Sequence, residues 1–184
     1  PGDVLIHHPT NQYALAIANL SRARAVRYGI RDDGGAYQEM NNFCVQGHAI
    51  CSVGTLHLVG QHNIDNACAA ITASRQFDPN LADEAVVDGL ANFKGLPHRL
   101  KFVREVDGVS YYDDSIATTP GSAIAAINSF DQPKVIILGG SDKGVDYGAV
   151  VSLCKDTGTK IVAIGQTGQK IFKLGKSMGV DCAY

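Results

Sequence analysis

The chain has 184 residues, enough for one ordinary domain or two small ones, and its 45% apolar against 18% charged content excludes a disordered polypeptide. Uninterrupted apolar runs such as Val135 to Leu138 are far too short to cross a bilayer, so no membrane association is expected. With 16 Lys plus Arg against 18 Asp plus Glu the formal charge is -2, which leaves no broad basic field for nucleic acid, so any anion must be held locally.

The five cysteines contain no CxxC pair, which argues against a disulfide framework or a zinc knuckle and for a reduced, cytoplasmic setting. The chain opens on Pro1 with no initiator Met or leader and stops at Tyr184 after the apolar stretch Val180 to Ala183; it reads as cut at both ends.

In chain order, Val4 to Ile6 reads as a strand, Gln12 to Ala18 as a short helix and Arg24 to Tyr28 as extended, a βαβ beginning. Residues 34 to 42 are rich in Gly, Asn and Gln and read as turn text. Phe43 to Val45, Ala49 to Val53 and Thr55 to Val59 then read as short strands of an antiparallel patch. Asn63 to Arg75 and Leu81 to Phe93 carry helical apolar spacing and are expected as two packed helices.

The punctuation Gly95-Leu96-Pro97 places a domain boundary between residues 1–95 and 96–184. Beyond it, Leu100 to Val106 and Val109 to Tyr112 flank Asp107-Gly108, a two-residue hairpin signal. Thr119-Pro120 opens a helix with Ile124 and Ile127 on its buried side. Strands at Val135 to Leu138 and Ile161 to Ile164 alternate with helices from about Tyr147 and Gly168, with Val180 to Ala183 as the next strand. That alternation predicts a parallel sheet covered on both faces, an α/β fold.

Four clusters hold residues suited to chemistry. In Gly60 to Asn66, His62, Asn63 and Asn66 offer neutral donors and acceptors at a helix start, for a nucleotide or simply for capping. In Gly95 to Arg99, the fork of Arg99 suits phosphate at a hinge, unless it is an ordinary linker charge. Tyr112 to Pro120 ends a strand in Asp113-Asp114 and continues through Ser115, Thr118 and Thr119 into a helix, at the end of the sheet where ligands bind. Leu138 to Gly144 is a glycine-rich turn in which Lys143 can meet a carboxylate or phosphate.

Neither GxxxxGK[ST] nor GxGxxG occurs, which disfavours a Rossmann-type oxidoreductase; a non-catalytic nucleotide-binding module is the other alternative. His7 and His8 are adjacent and cannot share one strand face, and His48 and His57 are separated, so no metal site is expected.

Taken in order, these clusters resemble the Mur ligases of peptidoglycan synthesis, on the branch that adds glutamate. Gly60 to Asn66 matches G-x-H-N-x-x-N, Phe93 to Arg99 matches F-x-G-L-P-H-R, Asp113 to Pro120 matches N-D-S-K-A-T-N in part, and Leu138 to Tyr147 matches L-G-G-x-D-K-G-x-D-F. The resemblance implies the rear part of a central ATP-binding domain followed by an incomplete, Rossmann-like doubly wound C-terminal domain.

It also implies an ATP- and Mg²⁺-dependent ligase that joins glutamate to UDP-N-acetylmuramoyl-L-alanine through an acyl phosphate and acts as a cytoplasmic monomer. By the same resemblance, His62, Asn63, Asn66, His98, Arg99 and Asp114 would contact the nucleotide, and Ser115, Thr118 and Lys143 the substrates, with Arg99 and Lys143 catalytic. The family's P-loop and metal ligands belong upstream of Pro1 and further glutamate contacts downstream of Tyr184, so the 184 residues alone are expected to fold without turning ATP over. Ile116 stands where the pattern has lysine, which opens the choice between D- and L-glutamate.

Overall fold

A computed structural model describes residues 2–31 and 34–184. The chain forms two compact units, Pro1–Gly95 and Leu96–Tyr184. Among the described residues no helix is long and apolar enough to cross a membrane.

The first unit begins with β1 (Val4–His7), α1 (Gln12–Leu20) and β2 (Arg24–Arg27), with the two strands parallel. Asn11 starts α1 by accepting hydrogen bonds from the backbone N–H groups of Tyr13 and Ala14. An antiparallel sheet of β3 (Ala36–Glu39), β4 (Asn42–Val45) and β5 (His48–Ser52) follows, in that order.

β3 lies inside the stretch expected as turn. Its strand character comes from a distant partner: Ala36 and Tyr37 are buried, and the Ala36 N–H donates to Thr72 Oγ1 at 2.8 Å across the unit. The strand expected over Thr55 to Val59 is absent. Instead Val53–Thr55 forms one 3-10 turn, bent by Ser52 Oγ taking the Gly54 N–H, and Leu56 then anchors in the core.

Helix α2 (Gln61–Phe77) lies on β3, and α3 (Asp83–Asn92) lies on β5 and the 3-10 turn, so each packs on a different part of the sheet rather than chiefly on the other. They share a core through Ile71, Val86 and Leu90, and Arg75 on α2 is paired with Asp83 on α3.

In the second unit β6 (Lys101–Val106) and β7 (Val109–Asp113) form the hairpin, with both Asp107 and Gly108 at positive φ (50° and 77°) as its tight turn requires. Thr119 caps α4 (Pro120–Ile127) by accepting the Ser122 N–H, and proline stands at the first helical position. Then β8 (Val135–Gly139), α5 (Gly148–Thr157), β9 (Lys160–Ile164), α6 (Gly165–Ser177) and β10 (Cys182–Ala183) build a parallel sheet of order β10-β9-β8.

Leu138, Ile161, Ala163 and Cys182 meet Val150, Val151, Cys154 and Ile171 in one core. The expectation of cover on both faces is not met among the described residues: Val135 and Ile137 on the opposite face are 60% and 66% exposed. Two successive right-handed crossovers that advance in one direction put α5 and α6 on the same face.

Candidate functional site

In the first unit, α2 begins at Gln61 after Gly60, whose φ of 93° turns the chain into the helix. No side chain caps this start, so the capping alternative for Asn63 is not what the structure shows. Asn63 sits within the first turn; its Nδ2 donates back to Val59 O at 2.8 Å and its Oδ1 accepts from Asn66 Nδ2 at 3.4 Å. His62 and Asn63 are half-buried and Asn66 is exposed. This pair of amides, in the first turns of a 17-residue helix, is polar, neutral and able both to donate and to accept.

In the second unit, residues 98–100 are joined to residues 113–116. His98 Nδ1 lies 2.7 Å from Asp113 Oδ2, the Leu100 N–H donates to Asp114 Oδ1 at 2.9 Å, and the Ile116 N–H donates to His98 O at 3.3 Å. Asp113 Oδ1 also accepts the Ser115 N–H at 3.0 Å. Hydrogen bonds from Ser115, backbone first, and then from His98 hold the Asp113 carboxyl down at about 2. Between the joined residues the Arg99 side chain is exposed and bonds to no other described residue. Ser115 and Thr118 are exposed on the path from β7 to α4, and the Ile116 side chain is 55% exposed.

The loop after β8 carries Lys143 at the carboxyl end of the sheet, exposed and bonded to no other described residue. Asp142 shapes this loop: its Oδ1 accepts the Gly144 N–H at 2.8 Å and its own N–H donates to Gln166 Oε1 at 3.1 Å. Thr167 N–H donates to Gly140 O at 3.1 Å, so the turns after β8 and β9 are locked together. A Cβ on Gly139 would lie 1.9 Å from Ile164 O, which is why glycine is required there.

The sequence marks Asp113 as half of a doubled acid at a strand end without giving it a role of its own, and it does not mark Gln166 or Thr167. Gly165 to Gly168, which holds both, does not satisfy the GxGxxG spacing. The structure thus joins His98, Asp113, Asp114 and Ser115 in one turn and Asn63 with Asn66 in another, while no bond ties Lys143 to Thr118. Among the described residues no three His, Cys, Asp or Glu side chains converge as a metal set.

Residues 98–180 match the family model described as Mur ligase, glutamate ligase domain. The chain is 34% identical over 147 residues to the UDP-N-acetylmuramoylalanine--D-glutamate ligase of Latilactobacillus sakei, covering 80% of this chain and 32% of that protein. It is also 34% identical over 163 residues to the protein of the same name from Pelotomaculum thermopropionicum, covering 88% of this chain and 34% of that one. The chain therefore spans about a third of the length of these curated relatives.

Among solved structures it is similar to Mycobacterium tuberculosis folylpolyglutamate synthase complexed with ADP, with a TM-score of 0.69 at 18% identity, over 98% of this chain and 44% of that one. The Thermotoga maritima UDP-N-acetylmuramate-alanine ligase gives a TM-score of 0.67 at 18% identity, over 96% of this chain and 41% of that one. At that identity these two likenesses concern the fold.

Proposed function

Because the chain belongs to the Mur ligase family, through the glutamate ligase domain at residues 98–180, we propose that the whole protein joins glutamate to UDP-N-acetylmuramoyl-L-alanine at the expense of ATP. The observation that carries this reading is the joined turn of residues 98–100 and 113–116, which offers a guanidinium bonded to no other described residue together with the Asp113 and Asp114 carboxylates at the end of β7.

In the proposed reaction a carboxylate oxygen of the muramoyl-alanine attacks the γ-phosphorus of ATP and ADP leaves. The glutamate amine then attacks the acyl carbon, loses a proton and expels phosphate. Such chemistry needs positioning and stabilisation of phosphoryl charge. Arg99 supplies a planar cation to the phosphates, with His98 beside it. Asp114 Oδ2, which bonds to no other described residue, accepts from a nucleotide hydroxyl. His62, Asn63 and Asn66 offer donors and acceptors suited to a nucleotide.

Ser115 and Thr118 offer hydroxyls to the substrates, and Lys143 pairs with the glutamate α-carboxylate. The described residues do not form a set that fits Mg²⁺, and in this reading its ligands lie outside this chain. The setting we propose is the cytoplasm, with the protein acting as a monomer. The 184 residues alone do not turn ATP over in this reading, since they contain no GxxxxGK[ST] loop.

The test is phosphate release by the full-length protein with ATP, UDP-N-acetylmuramoyl-L-alanine and D- or L-glutamate. Release that requires both co-substrates supports the reading. Release that is indifferent to glutamate, or no release with either enantiomer, contradicts it.

A further inference from the structure

His98 and Leu100 both have left-handed backbone, at φ 60° and 45°, and Arg99 stands between them. Neither flanking residue is glycine, and an L side chain adopts this region only where the surroundings hold it. Besides the Arg99 N–H to Leu96 O bond at 3.4 Å, three bonds that hold it come from one short segment. Asp114 takes the Leu100 N–H, the Ile116 N–H meets the His98 carbonyl, and Asp113 takes the His98 ring.

Asp113 is the hub of this arrangement, because it also pairs with Lys101 as the end rung of the hairpin and turns the chain toward Ser115. Its side chain thus connects the rigid hairpin to the residue that precedes Arg99.

We propose that Asp113 is a positioning residue: acting through His98, it fixes the left-handed turn that presents Arg99, and so sets nucleotide affinity without itself touching the nucleotide. Only the destination of Arg99 rests on the ligase reading; the latch itself rests on the geometry. An ionised carboxylate can only accept, so His98 Nδ1 must donate to it, which leaves Nε2 of the neutral ring as an acceptor. The quoted family pattern has asparagine at this position. Asparagine keeps an acceptor oxygen of the same reach, so it serves as a conservative replacement.

Two measurements on the full-length protein test this. In steady-state kinetics Asp113→Ala should raise the KM for ATP by about five-fold or more while leaving the KM for glutamate within about two-fold, and Asp113→Asn should restore the ATP value to within about two-fold of wild type. Because the two residues act as one unit, Asp113→Ala combined with His98→Ala should be no worse than His98→Ala alone. Additive losses, or an unchanged KM for ATP in Asp113→Ala, overturn the proposal.

The second measurement reads the His98 ring by long-range ¹H–¹⁵N NMR at a pH where it is neutral. A proton on Nδ1 in wild type and its redistribution to Nε2 in Asp113→Ala support the latch; the same tautomer in both proteins overturns it. If the wild type shows no ligation at all, the functional reading fails, and the NMR result still decides the latch.

Discussion

Lys143 and Arg99 are exposed cations with different proposed tasks, and their substitutions should separate accordingly. Arg99→Ala should weaken the ATP-dependent step, whereas Lys143→Ala should chiefly raise the KM for the amino acid, each by the ten-fold or more that a lost charge-assisted contact of roughly 1.5 to 3 kcal/mol implies. Unchanged kinetics in Lys143→Ala would remove it from the acceptor site.

Ile116 makes its backbone bond to His98 while its side chain stands largely in solvent, so the position can accept a lysine without disturbing the turn. Ile116→Lys should therefore shift the D- to L-glutamate preference or the KM several-fold, on the order of 1 kcal/mol, when both enantiomers are assayed. Identical kcat/KM ratios in the two proteins would show that position 116 does not govern acceptor choice.

Asp113 gives a pH prediction. Its folded value of about 2 lies below the ordinary 3.8, so its contribution to the turn is complete above about pH 4 and is lost as pH falls through 2. NMR titration of its carboxyl carbon should show a midpoint near 2, and a midpoint near 4 would mean that the bonds to Ser115 and His98 are not made.

At the scale of elements, the locked turns after β8 and β9 are the most demanding packing in the second unit. Gly139→Ala would drive a methyl group into Ile164 O at a φ of 134°, whereas a Cβ on Gly144, at φ 68°, meets nothing. Denaturation of the two variants should show a loss of about 3 kcal/mol or more for Gly139→Ala and about 1 kcal/mol for Gly144→Ala. Equal losses would contradict the close approach of the two turns.

What the sequence discloses at this scale is local. Asp107-Gly108 announces the hairpin and Thr119-Pro120 the start of α4, because turn and cap chemistry act over a few residues. β3 is illegible in the text of residues 34 to 42, since its burial depends on Thr72, 36 positions away. The 3-10 turn at Val53–Thr55 was hidden because a serine hydroxyl overrides the β-propensity of the residues that follow.

At the scale of the whole molecule, the alternation of strand and helix was sufficient for the parallel α/β sheet, but not for which of its faces the described helices cover; that follows from the direction in which the crossovers advance. The motifs point to strand ends and a helix start, where functional side chains gather. They carry no record of the pairing of His98 with Asp113 across 15 positions, nor of Gln166 with Asp142 across 24.

In the proposed reaction an acyl phosphate forms at a site to which Arg99 and Asp114 belong. This step is tested most directly by following ¹⁸O from the carboxylate of labelled UDP-N-acetylmuramoyl-L-alanine during ligation by the full-length protein. If the carboxylate attacks the γ-phosphorus and phosphate later leaves the acyl carbon, one labelled oxygen must appear in the inorganic phosphate and the nucleotide product must be ADP. Unlabelled phosphate, or label in AMP, would contradict the account.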